Sequence, residues 1–305
     1  METCLVTGGG GFIGSHVVEA LLERGFAVRV LDNLSTGHRE NLAAVQGRIE
    51  FIEGDIREPE TAARAVDGVS LVFHLAAVVS VPWSMAHPLE TEQVNTAGTL
   101  CLLEAAQKAG VRRLVFSSTC AVYGDDPTLP KTEAMPPAPV SPYAVSKLAA
   151  EGYCRIFAAA LGLETVVLRY FNVFGPRQDP SSPYSGVISI FVDRLRRGQP
   201  VTIYGDGEQT RDFVYVGDVA QANLRAALAP DVSGQIFNIG TGRAVTVNHL
   251  FAVLSGLLNY PHPPRYEPPR AGDIRHSYAD PSLARSRLGW SAQVAFEEGL
   301  RRLVG

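Results

Sequence analysis

Three glycines, Gly8, Gly11 and Gly14, stand at three-residue spacing between an apolar run, Cys4-Leu5-Val6, and an amphipathic stretch, Ser15 to Arg24. A strand must end there and a helix begin within a few residues. Gly8 permits the tight turn, Gly11 lets the backbone approach a pyrophosphate, and Gly14 lets helix and strand pack closely. The helix start then offers free N–H groups and the positive end of its dipole to an anion. Val17, Val18, Leu21 and Leu22 share one face of this helix, and Gly25 ends it.

The same punctuation recurs downstream. Strands are expected at Ala27 to Leu31, Glu50 to Ile52, Leu71 to Leu75, Arg113 to Ser117 and Thr165 to Leu168. Helices are expected at Pro59 to Val66, Thr96 to Ala109 and Tyr143 to Leu161, the last two closed by Gly110 and Gly162. Such alternation implies an α/β fold: a doubly wound, Rossmann-like parallel sheet with right-handed crossovers. After Tyr170 it degrades, with helices near Val187 to Arg197, Asp218 to Leu228, Val247 to Leu258 and Pro281 to Leu288. Gly175 to Gly186 and Tyr260 to Asp273 read as loops. Residues 1–171 with about 212–240 are the expected dinucleotide-binding domain; 172–211 and 241–305 form a smaller C-terminal lobe over the sheet's carboxyl edge. The proline-rich, aperiodic stretch Asp125 to Pro142 is a long surface loop and a wall of the site that follows it.

Asp32 ends the second strand, where a ribose-binding acid belongs. Its carboxylate can accept both ribose hydroxyls and would repel a 2′-phosphate. Asn33 follows and no arginine appears before Arg39, so NAD is favoured over NADP. Asp55 and Ile56 end the third strand and reach the adenine side, while Leu75, Ala76 and Ala77 sit where backbone passes close to the dinucleotide. His74, at a strand end within an apolar run, reads as a satisfied core histidine.

Chemistry is concentrated in Tyr143-Ala-Val-Ser-Lys147, with Ser117-Ser118-Thr119 upstream. Residues four apart lie on one helix face, so the Lys147 ammonium can stand beside the Tyr143 phenol. A phenol with a pKa of about 10 is a poor base at neutrality, and a fixed cation lowers that value. Thr119 can supply a second hydrogen bond to a reacting oxygen. Beside a nicotinamide, the trio can move a proton and a hydride together, which is alcohol–ketone redox chemistry.

Composition narrows the classes further. The 305 residues are 46% hydrophobic and 19% charged, with a formal net charge of -4, an ordinary globule without a nucleic-acid footprint. Arg194-Leu-Arg196-Arg197 is read as a solvated helix face. Cys4, Cys101, Cys120 and Cys154 form no Cys-x-x-Cys pair, so no metal site or disulfide frame is expected, and Cys120 is read as a small hydrophobe. With no basic-plus-apolar leader and no bilayer-length apolar stretch, no membrane contact is expected and the chain reads as cytoplasmic.

Taken together, Thr7-Gly-Gly-Gly-Gly-Phe12-Ile13-Gly14, Asp32-Asn33-Leu-Ser35-Thr36-Gly37, His74-Leu-Ala-Ala77, Asn95-x-x-Gly-Thr99, Tyr143-x-x-x-Lys147, Arg169-Tyr170-Phe-Asn172 and Arg211-Asp-Phe-Val-Tyr215 resemble the extended short-chain dehydrogenase/reductase family, nearest its UDP-hexose 4-epimerases. The resemblance implies NAD as cofactor, held by Gly8, Gly11, Phe12, Ile13, Gly14, Asp32, Asn33, Ser35, Thr36, Gly37, Asp55, Ile56, Leu75, Ala76, Ala77, Asn95, Tyr143, Lys147 and Tyr170. It implies Thr119, Tyr143 and Lys147 as catalytic residues, with Thr119 where epimerases commonly carry serine. Dehydrating relatives place an Asp-Glu pair after the threonine and decarboxylating ones a glutamate; here Cys120 and Ala121 follow.

The implied reaction takes a proton and a hydride from the sugar's C4 alcohol, lets the 4-keto sugar turn over, and returns the hydride to its other face. The resemblance also implies Arg211 and Arg270 on the diphosphate, Asp273 on the uridine ribose, Tyr204 near the uracil, and Asn172 on phosphates and sugar. Ser277 stands where many glucose/galactose epimerases carry tyrosine, leaving room for an N-acetyl group. UDP-N-acetylglucosamine and UDP-N-acetylgalactosamine are therefore the expected substrates, with UDP-glucose and UDP-galactose also accepted. An NAD-dependent sugar or alcohol dehydrogenase that releases NADH remains open on the same residues. A homodimer through a four-helix bundle, built from helices Thr96 to Ala109 and Tyr143 to Leu161, is implied as well.

Overall fold

The computed structural model describes residues 2–179, 186–269 and 274–305. Six strands, β1 (Thr3–Thr7), β2 (Ala27–Asp32), β3 (Ile49–Glu53), β4 (Leu71–His74), β5 (Arg113–Thr119) and β6 (Glu164–Tyr170), coincide with the six expected from sequence. A seventh, Ile236–Ile239, completes one sheet in the order Ile236–Ile239, β6, β5, β4, β1, β2, β3. Every neighbouring pair is parallel. Strand order reverses between β1 and β4, whose carboxyl ends, Thr7 and His74, are paired. In open parallel sheets, ligands bind in the crevice at such a switch point.

Side chains alternate across the strands and feed two cores. Cys4 and Val6 join Val28, Val30, Phe73 and Val115 under helix α1 (Phe12–Glu23) and the Val216–Leu228 helix. Leu5 joins Leu31, Val72, Leu114 and Phe116 under the helices Pro59–Val66, Gly98–Lys108 and Pro142–Ala160. Both faces of the sheet's central strands are thus dry, which is why those strands read as continuous apolar runs. A separate core of Phe174, Ile188, Phe191, Leu195, Phe213, Leu250 and Phe251 lies in the later chain.

Short sheets link the later segments. Asn172–Phe174 pairs with Phe213–Tyr215, and Thr210–Arg211 lies between Val245–Thr246 and His276–Ser277. Tyr260 to Asp273 is not all loop: Arg265–Glu267 pairs in parallel with Thr202–Tyr204. Two short helices that the sequence reading did not expect, Val81–Ala86 and Pro88–Glu92, carry proline in their first turn, where it is tolerated. The Asp125 to Pro142 stretch is docked on the later chain: Lys131 N–H donates to Tyr278 O at 2.9 Å, and Asp280 N–H donates to Lys131 O at 2.8 Å. Among the described residues, no helix is long and apolar enough to cross a membrane.

Candidate active site

The Gly-rich turn is as tight as its spacing demands. Gly8 has a φ of +69°, and a Cβ there would stand 2.7 Å from the Ala76 amide nitrogen. A Cβ on Gly14 would lie 2.1 Å from the Gly8 carbonyl oxygen. The first turn of α1 is therefore pressed onto the end of β1, with its unpaired N–H groups at the sheet's carboxyl edge. Phe12 and Ile13 open that helix, and Ile13 packs on the core.

Asp32 is buried beside the turn; its Oδ2 accepts from Gly10 N–H and its Oδ1 from Leu34 N–H, both at 2.8 Å. Burial raises its pKa while those two N–H groups pull the other way. Gly37 packs on the same carboxylate, and a Cβ there would meet Asp32 Oδ2 at 2.9 Å. Asn33 donates to Asp55 at 3.0 Å and receives Ser35 N–H at 3.1 Å, with Thr36 next in the turn. Arg57 holds Asp55 down to about 2, chiefly through their side-chain hydrogen bonds. Ile56 is a core residue, so only its backbone can face a ligand. Arg39 is engaged with Glu53 at 2.8 Å and stacked 4.3 Å over Phe51, so it offers no ready partner for a 2′-phosphate. A close glycine cradle, helix N–H groups and a buried acid at the next strand end fit NAD.

His74 is the satisfied core histidine expected. Its Nδ1 lies 2.7 Å from Thr7 Oγ1 and its Nε2 2.9 Å from Thr99 Oγ1, and burial lowers its pKa to about 3. Thr99 donates to Asn95 O, so it accepts from Nε2–H, and Thr7 donates to Nδ1. Thr7 Oγ1 in turn receives Ala76 N–H at 3.2 Å, fixing the Leu75-Ala76-Ala77 turn against the glycines. The side chain of Asn95, expected on the cofactor, is bonded within the chain. Its carbonyl accepts from Val78 N–H, and its amide donates to Val78 O at 2.9 Å and Ser146 Oγ at 3.0 Å. It clamps the turn after β4 to the Pro142–Ala160 helix.

That helix carries Tyr143 and Lys147. Ser141 caps it by accepting Ala144 N–H, and Pro142 occupies its first position. Tyr143 stands in its first turn beside Thr119, the last residue of β5. Thr119 Oγ1 accepts Ala121 N–H at 3.1 Å, which leaves its own O–H free to donate towards the phenol or a substrate oxygen. Lys147, one turn on, donates from Nζ to Ser117 O at 2.9 Å and lies 4.8 Å over the Phe116 ring. Burial lowers its pKa to about 8.

One expectation needs correcting. The polypeptide's own groups do not depress the Tyr143 phenol: burial pushes it up to about 12, and the Thr119 hydroxyl only partly opposes this. Desolvation of a phenolate outweighs an ammonium turned towards a carbonyl. The Tyr170 hydroxyl is bonded to Ser117 Oγ at 2.9 Å and Asn223 at 3.0 Å. The Cys120 thiol is pushed up to about 11 by burial, despite Arg211 nearby, consistent with a filler.

The later chain brings several other candidates together. Ser277 pairs with Arg211, and Asn172 pairs with Phe213, two residues further on. Ser277 is buried, and Tyr204 ends the strand that pairs with Arg265–Glu267. Arg270 and Asp273 lie outside the described residues. Sequence reasoning missed Asp212, whose fully buried carboxylate accepts from Thr241, Gly242 and Ala279 and anchors the strand bearing Arg211. It also missed the Glu151–Arg169 pair beneath the catalytic helix; Glu151 repeats the i, i+4 step from Lys147 and was legible in that spacing.

The chain resembles known proteins along its length. It is 42% identical over 304 residues to the UDP-glucose 4-epimerase of Mycolicibacterium smegmatis, covering 98% of this chain and 96% of the other. The structure of UDP-glucose 4-epimerase from Thermotoga maritima with UDP-glucose superimposes with a TM-score of 0.95 at 45% identity, covering 99% and 97%. UDP-N-acetylglucosamine 4-epimerase from Methanobrevibacter ruminantium, in complex with UDP-N-acetylmuramic acid, gives 0.95 at 41% over the same shares. The model of the NAD dependent epimerase/dehydratase family matches residues 4–240. With that match spanning the glycine turn, Asp32 and the Thr119–Tyr143–Lys147 constellation, the chain belongs to the NAD-dependent epimerase/dehydratase family.

Proposed function

We propose that this protein is a UDP-sugar 4-epimerase that interconverts UDP-N-acetylglucosamine and UDP-N-acetylgalactosamine and also accepts the UDP-glucose/UDP-galactose pair. The observation that carries this reading is the convergence of Thr119, Tyr143 and Lys147 at the switch-point crevice, followed by Cys120 and Ala121 rather than any acid or base. Elimination or decarboxylation would need such a group. NAD, when bound, supplies a reversible two-electron acceptor. Tyr143 removes the proton from the sugar O4 and later returns it, Thr119 donates to the same oxygen, and Lys147 keeps positive charge beside the phenol. The 4-keto sugar must turn over between the half-reactions, so the nucleotide is held firmly and the hexose loosely. We assign the firm grip to Arg211, Asn172, Tyr204, Arg270 and Asp273. The two-lobe division, 1–171 with about 212–240 against 172–211 and 241–305, follows from that assignment.

Anomeric proton NMR tests the reaction. UDP-glucose and UDP-N-acetylglucosamine, supplied separately without added NAD, should each approach an equilibrium mixture with the 4-epimer. Stoichiometric NADH accumulation would instead mark a net dehydrogenase. Ser277→Tyr tests the substrate assignment. A phenol ring opposite Arg211 should lower kcat/KM for the N-acetylated pair by about 10- to 100-fold and spare the plain hexoses. Equal loss on both pairs would remove the steric basis.

We also assign a homodimer through the Gly98–Lys108 and Pro142–Ala160 helices. Val145 and Ile156, three turns apart on one helix face, are 49% and 53% exposed, an apolar stripe that a partner copy would cover.

A further inference from the structure

Glu151 and Arg169 form an ion pair in the interior, 1% and 2% exposed, that touches no proposed ligand position. The pairing is bidentate: Arg169 donates from Nε to Glu151 Oε1 at 2.9 Å and from an Nη to Oε2 at 2.6 Å. Ser118 Oγ donates to the same Oε1 at 2.5 Å. The pair therefore ties three elements together: the helix of Tyr143 and Lys147, the β5 end carrying Thr119, and β6. It continues outward, with Arg169 stacked 4.8 Å over Tyr123, whose hydroxyl donates to Asn238 at 2.7 Å. Asn238 donates to Lys131 O at 2.9 Å, and Lys131 is bridged to Ala279, two residues past Ser277.

Stability alone does not account for such a pair. Desolvating two charges offsets most of their attraction, and apolar replacements of similar volume are often as stable. Among the described residues Arg169 Nη1 is buried without a hydrogen-bond acceptor, the guanidinium lying over the Tyr123 ring instead. What an apolar pair cannot supply is direction. Only a carboxylate held by the guanidinium fork can fix the Ser118 hydroxyl, and with it the backbone that aims Thr119.

We infer that Glu151 and Arg169 are positioning residues for the reaction, locking Ser118 so that Thr119 meets Tyr143 and the catalytic helix keeps its register on β5. This rests on reading Thr119, Tyr143 and Lys147 as the reacting trio. The negative Glu151 carboxylate, one turn beyond Lys147, also favours the protonated lysine.

The test separates positioning from folding. Ser118→Ala removes one hydroxyl and should leave the melting temperature and the KM for UDP-glucose essentially unchanged while kcat falls about 5- to 10-fold. In the full-length holoenzyme, Glu151→Gln alone strands a buried guanidinium and should lower the melting temperature. The apolar pair Glu151→Leu with Arg169→Met should recover much of that loss yet keep kcat at least 10-fold down, with bound NAD and KM preserved. A Ser118→Ala enzyme with unaltered kcat, or a folded apolar-pair enzyme within threefold of the wild-type kcat, overturns the inference. Should the double variant fail to fold, the Ser118→Ala result decides alone. Neither outcome touches the proposed reaction, which is tested separately by Tyr143→Phe and by the NMR and NADH readouts above.

Discussion

Tyr143→Phe is expected to lower kcat by about 10²- to 10⁴-fold, the range seen when a positioned acid–base group is deleted. Only one oxygen is lost, so the ring keeps its packing, and KM for the UDP-sugar should barely move. The charges around the phenol also set a direction for pH. Burial holds it up near about 12 and Lys147 down near about 8, so the polypeptide by itself keeps the phenol protonated at neutrality. A cationic nicotinamide adjacent to the phenol adds positive charge and lowers its pKa, since opposite charge favours the ionised form. The rate should therefore rise with pH through the working phenol pKa and then level. Lys147→Met removes a positive charge, so its rising limb should shift to higher pH. Tyrosinate absorption titrated in the holoenzyme, with Tyr143→Phe subtracted, measures that pKa directly. A Tyr143→Phe enzyme within threefold of wild type would remove the phenol from the mechanism.

The sheet and its ligand edge were legible because five of the first six strands are apolar runs buried on both faces and bounded by polar or glycine punctuation, while β3, at the sheet's edge, is only half-buried. Gly8, Gly14 and Asp32 follow from the same logic: their roles depend on backbone geometry that spacing encodes. Ile236–Ile239 was harder, being four residues long and drawn into the sheet by pairing with β6 residues 69 positions earlier. Arg265–Glu267 was hidden among prolines and all three of its residues are exposed, so no burial pattern marks it. The site's supporting groups were the least visible. The side chains of Asn95, Tyr170 and Asp212 are bonded to partners 17 to 67 positions away, and nothing local in the sequence announces such partners. The Tyr143 pKa went astray for a related reason: helix spacing placed the ammonium near the phenol but said nothing of burial or of the Ser117 carbonyl that claims it.

The second large effect is expected at Gly14, where alanine should abolish retention of NAD and destabilise the fold by about 3 kcal/mol or more, at the upper end of overpacking penalties. The added methyl would stand 2.1 Å from the Gly8 carbonyl oxygen and 2.9 Å from Gly9 Cα, both backbone atoms that no rotamer change can move. Relief requires the start of α1 to lift from β1. That lift carries its free N–H groups off the pyrophosphate position, and a displacement of about 1 Å at such a contact already costs on the order of 10²-fold. Gly8 cannot retreat, because its φ of +69° and the Ala76 amide confine it from the other side. Gly47 provides the control: it is exposed, nothing lies within 4 Å of a Cβ there, and Gly47→Ala should stay within about 0.5 kcal/mol of wild type. Bound NAD assayed after gel filtration, together with thermal melting of both variants, makes the comparison. If Gly14→Ala kept its cofactor and melted with Gly47→Ala, the close contact between helix and strand would not be what holds the dinucleotide.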